Sequence, residues 1–373
     1  MDAKQYTDLQ LSPRVLLGPG PSMVDARVLG ALGAPVVGHL DPDYIQVMDD
    51  VQQLLRYTFQ TENEVTLTIS GTGSAGMEAA VSNFVEPGDN VLIAEIGYFG
   101  ARIAEMAERY GANLDRIERP WGEAFTAQQI DEALSAKDYT LLAVVHGETS
   151  TGVCQPEIKA IAEAAHKHGA LLLLDTVASL GGVPVEVDDW DVDICYSGSQ
   201  KALSAPPGLA PITISPRAWE RLQARKTKVA NWYLDLKMLM DYWGTPRKYH
   251  HTAPVNLNYA MREALRLVAE EGLAARFDRH ARHARILWEG LADLDLPLLV
   301  PELLRLATLT TPRLPQGLDE AGIRTRLRQE YNIEIAGGFG PLAGKVWRIG
   351  LMGFSSRKEN VRLLLAALDD LIG

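Results

Sequence analysis

The stretch Ile69 to Glu78, ISGTGSAGME, decides how this chain is read. It follows the β-branched run Val65–Ile69 and opens an Ala-rich helical pattern near residues 75–85. Glycines at such a junction let backbone N–H groups approach a ligand at a helix N-terminus, where the helix dipole favours negative charge. The turn contains a literal G-x-G-x-x-G, and Glu95 ends the next β-like run about 20 residues on, where dinucleotide-binding units place a ribose-binding acid. Thr72 and Ser74 argue for a different ligand. Their hydroxyls suit a terminal phosphate monoester, which takes side-chain donors as well as backbone ones.

Outward from this turn, residues 65–215 alternate short apolar runs with longer amphipathic ones, the rhythm of a largely parallel sheet with helices on its faces. Strands are predicted at Val65–Ile69, Asn90–Ala94, Thr140–Val145, Ala170–Leu174, Ile194–Ser197 and Pro211–Ile214. Helices are predicted near 75–85, 100–110, 126–136 and 157–168, with Thr126 capping one and Gly111 and Gly169 following two helix ends. The bridge Trp232–Asn258 shows no helix of its own before the pattern at Tyr259–Glu271. Beyond it, helices near 275–293, 319–329 and 356–372 and β-like runs near 306–311 and 345–351 read as a smaller α+β unit. Residues 1–21 read as an extended arm, 22–260 as a large domain and 261–373 as a small one.

The 373 residues, 47% hydrophobic and 23% charged, have the composition of an ordinary globular protein. A net charge of -12 argues against a broad nucleic-acid surface but leaves room for a local basic pocket. The longest apolar stretches, such as Leu171–Leu174, fall far short of the roughly 18 residues of a membrane span. The N-terminal MDAKQYTDLQ lacks the pattern of a secretory signal, so a cytoplasmic location is expected. Cys154 and Cys195 lack metal-like spacing and read as reduced thiols in a packed interior. The adjacent His250 and His251 have no further ligand cluster in the sequence, and no metal is expected.

Two downstream residues decide between the ligands. Leu171–Asp175 is an apolar strand ending in a carboxylate, and strand carboxyl ends face the ligand crevice of an open α/β sheet. Such an Asp also serves as a turn former. Lys201 follows the next strand in Gly198-Ser199-Gln200-Lys201-Ala202, too sparsely charged a stretch to be a solvated basic face. An isolated lysine usually lays its stem on the surface with its ammonium in water. Together with Asp175 and an upstream phosphate turn it acquires a purpose. Pyridoxal phosphate needs a Schiff-base lysine, an acid facing its pyridine nitrogen and a phosphate anchor.

The segments SGTGSAGMEAA (70–80), HGETSTGVCQP (146–156), LLLLDTVASLGGVPVEVD (171–188), YSGSQKALSAPPGLA (196–210) and YHHTAPVN (249–256) closely resemble class V aminotransferases of fold type I. Within that class the resemblance is to alanine–glyoxylate and serine–glyoxylate (serine–pyruvate) aminotransferases, and it runs from LLGPGPS (16–22) to WRIGLMG (347–353). It implies an α/β fold whose large domain holds a mainly parallel seven-stranded sheet, with a smaller C-terminal α+β domain. It implies Lys201 as the Schiff-base lysine, Asp175 at the pyridine nitrogen, phosphate contacts from Thr72, Gly73, Ser74 and Gln200, and Val177 against one ring face. Phe99 takes the position where relatives commonly stack a Trp, keeping an aromatic face without the indole N–H. Thr149 matches a hydroxyl near the ring oxygen, and Arg348 the arginine that grips the substrate α-carboxylate. Tyr249 and Thr252 match residues that reach the phosphate of the neighbouring subunit, which implies an obligate homodimer.

The expected activity is transfer of an amino group from alanine or serine to glyoxylate or pyruvate, with ping-pong kinetics. Rivals within the fold are a 2-aminoethylphosphonate–pyruvate or ureidoglycine–glyoxylate aminotransferase, or a cysteine desulfurase. The last needs a mobile catalytic Cys, and neither Cys154 nor Cys195 sits in such a loop. Outside it stand an NAD-dependent dehydrogenase using the Gly71–Gly76 turn and a non-catalytic subunit.

Overall fold

Residues 8–372 are described by the computed structural model of the chain; residues 1–7 of the expected arm and residue 373 lie outside them. Leu141–Val145 and Leu171–Asp175 are buried along their whole length. That is why they read as continuous apolar runs: a central parallel strand is covered by helices on both faces and has no solvated side. The sheet has seven strands in the order Val65–Ser70, Leu209–Ile214, Ile194–Tyr196, Leu171–Asp175, Leu141–Val145, Asn90–Glu95, Asn113–Glu118. Leu209–Ile214 runs antiparallel to both of its neighbours, and the other four pairings are parallel. The sheet is therefore mainly parallel, with its exception one strand in from an edge.

Several elements were not anticipated from the sequence, among them the helices Ala26–Leu32 and Pro216–Gln223, and three are instructive. Asn113–Glu118 is the edge strand, and Asp115, Arg116 and Glu118 interrupt its apolar pattern. Charges on an edge strand deter pairing with another chain, and they also hide the strand from a hydropathy reading. Pro42–Phe59 is an 18-residue helix capped by Asp41, burying Tyr44, Met48, Val51, Leu55 and Phe59 along one stripe. The Trp232–Asn258 bridge does hold a helix, Leu236–Trp243, capped by Asp235 and burying Leu236, Leu239, Tyr242 and Trp243. Its helical spacing was masked by the density of aromatic residues around it.

The expected caps are present, and Thr126 forms a reciprocal capping box with Gln129. Apolar packing divides into a larger cluster around the sheet, a smaller one that includes Leu287, Leu291, Ile349 and Leu364, and a minor one of Ala178, Ala202, Leu306, Leu309 and Met352. Leu17 belongs to the smaller cluster, and Val15–Leu16 pairs in parallel with Ile333–Glu334. The arm is thus stitched to the C-terminal unit before it crosses to the sheet. The helix Val255–Glu271 runs unbroken through residue 260 and buries Met261, Leu265 and Val268 in the larger cluster. No described helix is long and apolar enough to cross a membrane.

Candidate active site

Asp175 ends its strand 2% exposed, in parallel register with Tyr196. Tyr196 O–H donates to its Oδ2 at 2.6 Å, and the Val177 N–H donates to Oδ1 at 2.8 Å. Burial pushes its pKa up to about 6, even though both hydrogen bonds and the nearby Lys201 and Arg102 charges pull it down. A carboxylate so placed is desolvated but has lone pairs left for a cationic N–H.

Lys201 lies in the turn that follows Ile194–Tyr196 and donates through Nζ to the Pro19 carbonyl. Burial pushes its pKa down to about 8, opposed by Asp175 and assisted by Arg348 and Arg102. Gly20 covers it: at φ +108°, a Cβ there would stand 2.7 Å from Lys201 Cδ. Only glycine meets both demands, a left-handed backbone and a close approach. The Gly18-Pro19-Gly20-Pro21 run, read from sequence only as part of an arm, therefore forms one wall around the lysine. Ser22 fixes that wall by donating to the Lys201 carbonyl at 2.7 Å and, through its N–H, to the Gln200 carbonyl at 2.8 Å.

The glycine turn opens the helix Gly73–Phe84, with Thr72 at the N-cap making no side-chain capping bond. The first N–H groups of that helix lack intrahelical partners and the Thr72 hydroxyl is free, so donors gather at one point. A Cβ on Gly73 would come within 3.3 Å of Val177, which packs this turn against the loop after Asp175. Gln200 lies beside it, since a Cβ on Gly198 would meet both Gln200 Oε1, at 3.1 Å, and Gly73; that Oε1, an acceptor, is buried without a hydrogen-bond partner. Ser74 Oγ accepts from Arg102 Nη1 at 3.2 Å.

On the other side, the Phe99 N–H donates to Glu148 Oε2 at 3.0 Å and the Ser150 N–H donates to Oε1 at 2.8 Å. Glu148 is fully buried, and burial pushes its pKa up to about 7. It ties the helix carrying Phe99 to the loop carrying Thr149. Arg348 lies on Trp347–Gly350 between the buried Trp347 and Ile349, and strand alternation turns it to the opposite face. Its Nε donates to the Gly337 carbonyl at 2.8 Å and Nη1 to the Thr149 carbonyl at 3.3 Å, with the guanidinium 4.3 Å from the Phe339 ring centroid. Burial lowers its pKa to about 10, which leaves it cationic at neutral pH.

Tyr249 and Thr252 are exposed, and the Tyr249 ring packs 5.0 Å from His39. Neither hydrogen-bonds to the glycine turn or to Gln200 within the chain. Between them, His250 stacks on Trp232 at 4.5 Å, and His251 Nε2 lies 2.7 Å from Ser70 Oγ. Glu95, which a dinucleotide would need at its ribose, lies 3.9 Å from Arg116 on the edge strand. Cys195 is buried and Cys154 only partly so; both thiols are free, and burial raises each pKa to about 12. Neither is the ionised nucleophile a desulfurase would use.

Contacts thus join Gly73 to Val177 just past Asp175, Ser74 through Arg102 to Phe99, and Phe99 through Glu148 to the Thr149 loop that Arg348 touches. Tyr196, Pro19, Gly20, Glu148 and Arg102 join them unannounced by the sequence. This set fits pyridoxal phosphate: a desolvated lysine, a buried carboxylate, and a gathering of free N–H groups and hydroxyls at a helix N-terminus.

Known proteins give the same direction. The family model "Aminotransferase class-V" matches residues 27–363. The chain is 44% identical over 359 residues to an alanine–glyoxylate aminotransferase of Oryctolagus cuniculus, covering 95% of this chain and 91% of that protein. It is 42% identical over 374 residues to the (S)-ureidoglycine–glyoxylate transaminase of Bacillus subtilis strain 168, covering 95% and 90%. A crystal structure of an alanine–glyoxylate aminotransferase from Nostoc sp. superposes with TM-score 0.97 at 52% identity, covering 100% of this chain and 99% of that one. The dehydrogenase reading falls with these matches, and the chain belongs to the class-V aminotransferases, pyridoxal-phosphate enzymes of fold type I.

Proposed function

We propose that this aminotransferase moves the amino group of alanine or serine to glyoxylate or pyruvate by a ping-pong mechanism. The observation that carries the reading is Arg348, half-buried on its strand and held at the Thr149 loop by the Gly337 and Thr149 carbonyls and the Phe339 ring. A guanidinium held there suits the α-carboxylate of a small amino acid and orients its Cα–H for proton removal.

When bound, pyridoxal phosphate supplies an electron sink that acidifies the substrate Cα–H. Lys201 Nζ, its pKa lowered to about 8, exchanges between amine and ammonium near physiological pH and moves that proton. Asp175, braced by Tyr196 and Val177, holds a proton on the pyridine nitrogen by charge and hydrogen bond. Thr72, Gly73, Ser74 and Gln200 would hold the phosphate, Val177 and Phe99 would pack against the ring, and Thr149 would offer its hydroxyl to it. Pro19, Gly20 and Ser22 exclude water from the lysine.

The relatives support glyoxylate as acceptor, and the Bacillus subtilis relative supports (S)-ureidoglycine as a rival donor. A panel of donors against glyoxylate and pyruvate, read as kcat/KM, separates them. Alanine or serine with glyoxylate is expected to give the highest value. An ureidoglycine value more than about tenfold above both would replace this reading with the rival one. Alanine and serine differ by one hydroxyl, which an apolar pocket distinguishes by about a hundredfold at most.

The arm, a large domain and a small domain divide the chain in this reading, with the second boundary at Gly272 instead of residue 260. The unbroken helix Val255–Glu271 and its burial in the larger apolar cluster support that shift. A cytoplasmic location accords with the two free thiols. The active unit is a homodimer in which Tyr249 and Thr252 complete the partner's phosphate site, and their exposure on a single chain supports this. Lys201→Ala chains mixed with Tyr249→Phe/Thr252→Ala chains test it. Half of the mixed dimers' sites regain both native halves, so a one-to-one mixture is expected to recover about a quarter of wild-type activity. Mixing without recovery would sink the shared site.

A further inference from the structure

Arg102 stands one turn into the helix Tyr98–Arg109, its guanidinium carbon 5.0 Å from the Tyr98 ring centroid and 4.9 Å from that of Phe99. Nη1 donates to Ser74 Oγ at 3.2 Å. Glu78 and Glu105 line the same surface cleft, yet both are engaged elsewhere. Tyr110 O–H donates to Glu78 at 2.8 Å, and Arg109 pairs with Glu105 at 2.6 Å. Among the described residues Arg102 forms no ion pair with a carboxylate, so its charge is unneutralised beside the glycine turn.

We propose that Arg102 is the positioning residue that supplies positive charge to the phosphate site, acting through the Ser74 hydroxyl. A hydroxyl carries one proton and two lone pairs. With a lone pair of Ser74 taken by Arg102, the proton is turned away from the guanidinium, and among the described residues it meets no acceptor. Donation from a cation also polarises the O–H, making it a stronger donor to an anion. Ser74 is the second residue of its helix, so its own N–H is one of the donors left without an intrahelical partner. The Tyr98 and Phe99 rings hold the guanidinium by cation–π contact, which gives Phe99 a second use beyond covering the cofactor ring. The charge also reaches deeper: beneath the dominant effect of burial, Arg102 helps to lower the pKa of both Asp175 and Lys201.

This inference rests on reading Thr72, Ser74 and Gln200 as the phosphate site, and its test separates the two. The full chain, freed of cofactor, is titrated with pyridoxal phosphate and, separately, with pyridoxal, which lacks the phosphate. Arg102→Gln is expected to weaken pyridoxal phosphate binding about tenfold or more and to leave pyridoxal within twofold. Arg102→Lys, which keeps the charge, should lose about threefold or less. Arg102→Gln combined with Ser74→Ala should bind no more than about twofold worse than the weaker single variant, because both lie on one route. Equal weakening toward both ligands would assign Arg102 to the ring face and overturn the proposal. Unchanged binding by Arg102→Gln with weakened binding by Ser74→Ala would overturn it too, leaving the phosphate site intact. If Thr72→Ala and Ser74→Ala both bind pyridoxal phosphate as wild type does, the phosphate site itself falls, and Arg102's role with it.

Discussion

Lys201→Ala is expected to reduce transamination by at least about 10⁴-fold and to abolish the visible absorption of lysine-bound cofactor. No other described amine stands where Nζ does, under the Pro19–Gly20 wall and beside Asp175. The same site makes a thermodynamic prediction. Burial lowers the Lys201 pKa from its ordinary value of 10.5 to about 8, so between these pH values the unfolded chain holds a proton that the folded one has released. Stability therefore rises with pH across that window, and the penalty of a buried ammonium is in full force below it. For cofactor-free protein at pH 7, Lys201→Met should remove a penalty of order 2–3 kcal/mol and with it the rise in stability between pH 8 and 10. Urea unfolding of both proteins at pH 7 and pH 10 measures this. A Met variant less stable than wild type at pH 7, or an Ala variant that still turns over, contradicts the assignment.

How much of this site was legible in the sequence depends on how far each residue's partner lies along the chain. Asp175 and Lys201 announce themselves because each sits just past an apolar strand, and strand ends in an open α/β sheet face the crevice. Tyr196 does not, although its hydroxyl braces Asp175, because its pairing follows from which two strands are neighbours in the sheet. Crossover connections decide that order, and periodicity carries no trace of it. Pro19 and Gly20 meet Lys201 from the far end of the chain, so no window of sequence contains both. Glu148 and Arg102 look like ordinary charged residues until the fold buries one and leaves the other with no carboxylate partner among the described residues.

The sheet shows the same division. Its buried strands were visible as apolar runs, and the edge strand Asn113–Glu118 was invisible because its charges guard the edge. The glycine turn was half legible. Its glycines marked an anion site at a helix N-terminus but fit either ligand, and only Thr72, Ser74 and the residues beyond resolved them.

Asp175→Asn is expected to lower kcat by about 10²–10³-fold, because an amide offers no negative charge to keep the pyridine nitrogen protonated. Tyr196→Phe removes only one of the bonds to that carboxylate and should cost less than about tenfold. A pH signature distinguishes a lost charge from a damaged fold. In cofactor-free protein, burial raises the Asp175 pKa from 3.8 to about 6, so in that interval the folded chain holds a proton that the unfolded one has lost. Its stability then falls as pH rises through the interval. A cationic ring nitrogen facing Asp175 favours the ionised carboxylate and cancels that fall. The gain in Tm on adding pyridoxal phosphate should therefore widen between pH 5 and pH 8 in wild type. The cofactor's phosphate, with a second pKa of about 6, titrates in the same range and contributes its own share of the widening. Asp175→Asn isolates that share, since it keeps the phosphate site and lacks the carboxylate. A widening as large in Asp175→Asn as in wild type would show that Asp175 does not meet the ring nitrogen, whatever the variant's activity.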